Sequence, residues 1–353
     1  MTKKVIKETL VYLLTGLLIW LCVIVIREGK DIQVYIINSI DRCLTVIIPS
    51  LFIFMVLSGI IIESRIYPYL SKPFHLISKY IFHIPNELFF VFILGNIFGY
   101  PVGAKLLSQL VKEQKINNKT AEIMNCFCFG GGPAFFCGAV GLAIFDNSKI
   151  GMIILASSLI SNTIIAIILC RVYKIHCESD SKSPHFNSDI IINSVITAGK
   201  SILVICITIV FCSALVGIFD TYNFFEKTSI DDNLTIVFKS FLEISVLSEL
   251  NNRPYSLLPL ISAVCSFGGI CVLVQVKAIV GKTYSLSRFY IARIISSLIS
   301  YFSCNLLLRL VKPEYVTAST QIKVPTEPDS IVPSCCLIGM IIILFMNKKA
   351  AHN

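Results

Sequence analysis

Apolar residues gather along this chain into long runs that short polar segments separate. Six runs are unbroken: 9–26, 43–62, 150–172, 201–219, 286–311 and, more briefly, 331–346. Crossing about 30 Å of hydrocarbon takes roughly 20 helical residues, so each run predicts a membrane-spanning helix. Two further apolar stretches are interrupted by glycines: 118–146, with CFCFGGGPAFFCG at its centre, and 255–281, with VCSFGGICV. Both predict discontinuous crossings. The stretches 88–112 and 234–252 differ again, being too polar or too short for a clean span, and each precedes a glycine-broken crossing. Backbone that leaves the helix at membrane depth is tolerated only where protein or a wet cavity satisfies it. These two stretches therefore predict re-entrant hairpins whose tips face one another across a site. The expected fold is an all-α polytopic membrane protein with about eight crossings plus two re-entrant hairpins.

A repeat runs through this pattern. Asn38-Ser39-Ile40 opens the approach to 43–62, and Asn193-Ser194-Val195 opens that to 201–219. Phe129-Gly130-Gly131 recurs as Phe267-Gly268-Gly269, and SSLIS at 157–161 recurs at 296–300. The distance from FGG to SSLIS is 28 residues in the first copy and 29 in the second. The same order at near-constant spacing predicts two repeats, 38–175 and 190–311, with an N-terminal anchor helix at 1–30 and a C-terminal helix and tail at 331–353. Lys3, Lys4 and Lys7 precede the first run as in a signal peptide, but REGKDIQ follows it without a small-residue cleavage site. That run is expected to stay as an anchor.

Composition agrees with a bilayer solvent: 55% of the 353 residues are hydrophobic and 14% charged, with a mean hydropathy of +0.80. The 14 cysteines lie mostly inside apolar runs, without the polar-loop spacing of disulfide frameworks or zinc sites, and read as small buried apolar groups. The net charge of +9 is scattered over short loops with no basic helix or aromatic-rich basic patch, so nucleic acid is not an expected partner. Topology accounts for the charge instead, because cytoplasmic loops retain Lys and Arg. With both termini cytoplasmic, one side holds Arg65, Lys72, Lys79, Lys105, Lys112, Lys115, Lys119, Arg171, Lys174, Lys277, Lys282 and Arg288, and the other holds Asp220, Glu226, Asp231 and Asp232. On this assignment 43–62 runs inward and 201–219 outward, so the repeats are inverted, an arrangement that secondary transporters build around broken helices. AGKS at 198–201 has the end of a P-loop, but Ser194 stands where its first glycine belongs and no strand precedes it. With no zinc-ligand spacing and no Ser-His-Asp arrangement either, neither an enzyme nor a cofactor is expected.

GNIFGYPVGAKLLSQLV, then FCFGGGPAFFCGAVG, SFGGICVLVQV and FYIARIISSL, resemble the sporulation integral membrane protein family of the YlbJ type, within the nucleoside-recognition (Gate) domain superfamily. The resemblance runs from about residue 38 to residue 311, and GYPVGAK is its most specific part. It implies a fold like that of concentrative nucleoside transporters, with two re-entrant hairpins and two broken helices around a central substrate site. It also implies export of dipicolinic acid from the mother cell cytoplasm across the outer forespore membrane during sporulation. Two alternatives stand beside that reading: a carrier of nucleosides or other metabolites, and a non-transporting membrane gate or scaffold needed for spore formation.

The candidate binding residues follow from what a small aromatic dianion needs. Half-helix N-termini present free N–H groups and the positive end of a dipole, which nominates Gly130, Gly131 and Gly132 in the first break and Gly268 and Gly269 in the second. Close helix packing is the competing role for such glycines. In the first hairpin Asn96 and Tyr100 offer hydrogen bonds and Lys105 an attracting charge, with snorkelling to the interface as its alternative. Glu243 is the only acid in the apolar part of the second hairpin, and Ser245 follows it. An intramembrane carboxylate is a functional candidate as carrier of a proton or ligand of a cation, unless it faces outer water. Gln275 and Arg293 lie just beyond the second break, Arg293 as a balance for substrate charge, while Asn125, Asn162 and Ser266 are weaker candidates that helix bridging would also explain. The expected partners are an anionic small molecule and the lipid bilayer.

Overall fold

The computed structural model describes residues 2–177, 184–221, 232–250 and 254–311. The predicted helix at 331–346 and the acidic residues Glu226 and Asp231 lie outside these residues. Everything described is helix or connection, with no strand. Five helices are long and apolar enough to cross a membrane, or six if one bent pair is a single span. The expectation of eight crossings thus exceeds what the described residues carry. Three expected crossings make the difference: 331–346 lies outside the described residues, 9–26 lies in the 26-residue α1 (Thr2–Arg27), whose described apolar part is Val11–Arg27, and 118–146 is split into two helices, neither long enough to cross.

The long helices come in two antiparallel pairs. α2 (Gly29–Glu63) and α9 (Ser188–Thr221) pack along their length: the Tyr35 hydroxyl at the start of α2 donates to Asp220 at the end of α9, while Gly59 near the end of α2 meets Ser194 near the start of α9. A Cβ on Gly59 would lie 3.0 Å from the Ser194 hydroxyl, so a small residue is what lets these backbones approach. The second pair is α8 (Ser148–Val172) and α13 (Ser287–Val311), each of 25 residues. Arg288 at the start of α13 lies over the Tyr173 ring just beyond the end of α8, and the two copies of SSLIS meet at mid-length, where the hydroxyls of Ser161 and Ser296 share a 2.6 Å hydrogen bond. The outer faces of these four helices expose large apolar residues such as Leu44, Ile168, Phe211 and Phe302, a surface that hydrocarbon, and not water, can solvate.

Between the long helices lie the irregular parts. After α2 comes α3 (Tyr67–Phe82), with Tyr69, Leu76 and Tyr80 outward, ended by His83 in the left-handed region at φ 57. A 94° bend leads into α4 (Asn86–Ile97), which with α5 (Val102–Lys112) forms a helical hairpin. At 12 and 11 residues neither arm crosses a bilayer. The broken segment that follows consists of α6 (Asn118–Asn125), a non-helical passage through Cys126–Pro133, and α7 (Ala134–Phe145). After α9 the order returns: α10 (Asp232–Ser240), a turn and a six-residue 3-10 helix Ile244–Glu249 make the second hairpin, and α11 (Leu258–Phe267) and α12 (Gly269–Val280) make the second broken helix, interrupted at Gly268 (φ 92). Long helix, hairpin, break and 25-residue helix thus occur twice in the same order. The second hairpin departs from expectation in its return arm, which is 3-10 and not α-helical. Basic residues from three separated stretches converge at one end of the fold, where Lys119, Lys277, Lys282 and Arg288 surround an open cleft. Asp220 pairs with Lys239 near the opposite end of α9.

Candidate functional site

The first hairpin is built around its break. Its tip runs from Phe98 through Gly99 (φ 85) and a cis Tyr100–Pro101 bond. The backbone of Cys128 passes between the two arms: a Cβ on Gly95 would lie 2.9 Å from the Cys128 carbonyl oxygen, and one on Gly103 only 1.9 Å. Beside that crossing, Asn96 donates to the carbonyls of Phe92 (2.8 Å) and Phe127 (3.1 Å) and accepts from Asn162 of α8 at 2.7 Å. Asn162 spends its other amide hydrogen on the Phe129 carbonyl, 2.6 Å away. The non-helical backbone at 126–133, which lipid could not solvate, thus finds its partners in two asparagines.

Arg293 ties this break to the other. Its guanidinium donates to the carbonyls of Cys126 and Ser266, the first residues to leave or approach each break, and to Asn162 Oδ1 at 3.2 Å. It also lies 4.7 Å from the Phe129 ring centre and 5.5 Å from that of Phe289. Tyr100 reaches across from the first tip to the Cys265 carbonyl at 3.0 Å. The second break is capped by its own hairpin: the N–H groups of Ile270 and Cys271 donate to the carbonyls of Phe241 (2.8 Å) and Leu242 (2.9 Å). Those N–H groups at the start of α12 are spent within the protein, as is that of Gly268, which donates to the Val264 carbonyl at 2.8 Å, so none of the three is left for a ligand.

Where the hairpins, the breaks and α2 and α9 meet lies a cavity of about 80 Å³, room for about five waters. Tyr100 and Gly131 line it from the first hairpin and break, Glu243 and Ser245 from the second hairpin, and Gln275 from α12. Val46 and Ile47 belong to a π-helical turn of α2 at Cys43–Ile47, the kind of local widening that recurs at functional sites. Glu243 is almost wholly buried and accepts a short hydrogen bond from the Ser245 hydroxyl.

Five of the twelve candidates therefore line one cavity. Asn96, Gly130, Gly132, Gly268, Gly269 and Arg293 stand behind it as packing and cross-ties, and do not line it. Lys105 does neither of the things expected of it: it is buried, away from the cavity, and donates to the Met55 carbonyl of α2 at 3.3 Å. Among the described residues no lysine or arginine lines the cavity. Sequence reasoning missed Arg42, whose guanidinium donates to the Ser245 carbonyl (3.0 Å) and hydroxyl (3.2 Å) and pairs with Glu249 at 3.0 Å. The available signal was a lone guanidinium at the mouth of the apolar run 43–62.

One stretch of the chain is similar to a sporulation membrane protein. Over 117 residues, a third of this chain, it is 31% identical to the sporulation integral membrane protein YlbJ of Bacillus subtilis (strain 168), and the match spans 29% of that relative's length. No family description matches the chain, and no solved structure matches it. The chain is an integral membrane protein of apolar helices with a sporulation protein as its relative.

Proposed function

We propose that the chain is a secondary transporter of a small carboxylate, dipicolinic acid first, moved from the mother cell cytoplasm across the outer forespore membrane. The observation that carries the reading is the cavity: two hairpins and two broken helices, elements a bilayer would reject, converge on one small, largely apolar space into which Tyr100, Glu243, Ser245 and Gln275 bring polar groups. The antiparallel run of α2 against α9, with the same element order following each, supports a pair of inverted repeats. The relative's name supports a place in sporulation. Both termini are assigned to the cytoplasm, in line with the basic cleft at one end of the fold. The ring of Tyr100 and that of Phe135 offer an aromatic wall, and Gln275 and Ser245 offer hydrogen bonds.

A second reading has its own observation. With Glu243 in the lining and no lysine or arginine among the described lining residues, the cavity also suits a neutral hydrogen-bonding solute such as a nucleoside. Reconstitution in liposomes separates the two. Uptake of radiolabelled dipicolinate that Gln275→Leu abolishes supports the carboxylate carrier; uptake of uridine alone supports the nucleoside reading. If neither solute moves in protein whose melting curve is intact, the scaffold reading replaces both. Gly268→Leu is unsuited as a control, since even its Cβ would lie 2.6 Å from the Phe129 ring at a φ of 92.

A further inference from the structure

The second hairpin is held at two places of different character. Its turn is fixed, because the carbonyls of Phe241 and Leu242 cap α12. Its return arm, Ile244–Glu249, is a 3-10 helix, a form with poorer hydrogen-bond geometry than an α-helix. That arm is tied to α2 through Arg42, by the bonds to Ser245 and the ion pair to Glu249. The Arg42 side chain is 19% exposed and that of Glu249 38%, so water reaches the pair and it holds weakly. Arg42 is also the residue at which α2 passes into its π-helical turn.

The same guanidinium is one hydroxyl away from the cavity. The Ser245 hydroxyl accepts from Arg42 and donates to Glu243, which faces the cavity. A carboxylate solute needs a cation there, and the lining holds none among the described residues. Lys105, Arg293 and Lys239, the other buried or half-buried cations described at the hairpins, are committed elsewhere, the first two to carbonyls and Lys239 to Asp220. Glu249 uses only one oxygen on one guanidinium nitrogen, whereas a solute carboxylate seated by Ser245 offers two oxygens to the planar fork of Arg42, the stronger geometry.

Resting on the carboxylate reading above, we infer that Arg42 is the charge partner of the transported carboxylate and the latch of the second hairpin: the solute displaces Glu249 and Ser245 from Arg42, and the return arm Ile244–Glu249 is released from α2. Substrate charge then opens the hairpin that closes over it, and a neutral solute has no means to do so.

The test is amide hydrogen exchange on the full chain in nanodiscs, with dipicolinate and uridine as probes, beside equilibrium binding of each. Without ligand, Arg42→Gln raises exchange at 244–250 by about tenfold and leaves 86–112 unchanged, while Arg42→Lys gives an intermediate rise. In the wild type, dipicolinate raises exchange at 244–250 and uridine does not. Arg42→Gln weakens dipicolinate binding by about tenfold or more, and Glu249→Gln tightens it. Exchange at 244–250 in Arg42→Gln equal to wild type overturns the latch. Equal dipicolinate affinity in the two overturns the charge partner. Should the wild type bind no dipicolinate, the carboxylate reading falls and takes the displacement step with it, while exchange in Arg42→Gln and Glu249→Gln still decides the latch. Glu249→Gln, at a partly exposed position, gives that readout if Arg42→Gln does not fold.

Discussion

The two hairpins do the same topological task with different chemistry. The first is a pair of α-helices closed around foreign backbone, its glycines in contact with Cys128 and its asparagine bonded to three partners, two backbone carbonyls and the Asn162 amide. Nothing in it is charged at the tip. The second has one α-helical arm, a 3-10 return, a buried acid and a partly wet ion pair to a different helix. The contacts of the first hairpin are to backbone and amide groups that the protein interior gives no water to replace, which on the reading proposed above makes it the fixed wall. The return arm of the second is held to α2 by a contact that is ionic and replaceable, which is what a moving part requires.

Glycine substitution tests that contrast most severely. Gly103→Ala places a methyl group 1.9 Å from the Cys128 carbonyl oxygen, with backbone on both sides of the contact. The first hairpin cannot yield without losing its break, so a loss of about 3 kcal/mol or more is expected, read as a collapsed melting transition in detergent. The matching change where the second break meets its hairpin, Gly269→Ala at the start of α12, meets the Ser240 carbonyl oxygen at 3.2 Å and adds strain at a φ of 74. It should cost about 1 to 2 kcal/mol. Equal effects of the two would mean that the hairpins are equally rigid, and the comparison would fail.

The next effect concerns the amide that closes the first site. Asn162→Leu removes the donors to Asn96 Oδ1 and the Phe129 carbonyl and the acceptor of Arg293 in one step. A buried unpaired group costs about 1–3 kcal/mol, and this change orphans several, so a loss of about 2–3 kcal/mol is expected in the same melting assay. Glu243→Gln in the second hairpin should instead leave the melting curve within about 1 kcal/mol, since an amide still accepts from Ser245. Its effect belongs in the flux assay. A Glu243→Gln protein that melts as low as Asn162→Leu would make the acid a structural group.

Much of this arrangement was legible in the chain, and the losses have physical causes. Hairpins and breaks show in sequence because a bilayer tolerates Gly, Pro and amides only where protein covers them, so FGYPVGAK and CFGGGP announce themselves against apolar surroundings. Which break residues face a cavity does not show, because a glycine that admits a ligand and one that admits a carbonyl, such as Gly132, where a Cβ would lie 2.5 Å from the Ile97 oxygen, look alike in a string of letters. The charged residues misled for a related reason. Lys105 and Arg293 stand in apolar helices and so drew attention as site residues, yet each donates to carbonyls of a neighbouring helix or break. Arg42 stands at a polar edge, where charge is ordinary, and its reach to Ser245, about 200 residues on, depends on tertiary packing alone.

The smallest expected effect bears on the seam that the two halves share. Ser161 and Ser296 are equivalent in motif but not in position, being the last serine of one SSLIS and the first of the other, and they meet because α8 and α13 run antiparallel. Ser296 has further partners in Ser266 (2.7 Å) and Asn162 (3.4 Å), so losing Ser161 leaves it satisfied. Ser161→Ala should therefore cost about 0.6 kcal/mol, the average for one hydrogen bond between membrane helices. Ser296→Ala removes the hub and should cost about twice that or more. A reversal of this order in melting experiments would place the centre of the seam on α8 and separate Asn162, and the first hairpin it closes, from the chain of hydroxyls leading to the second break.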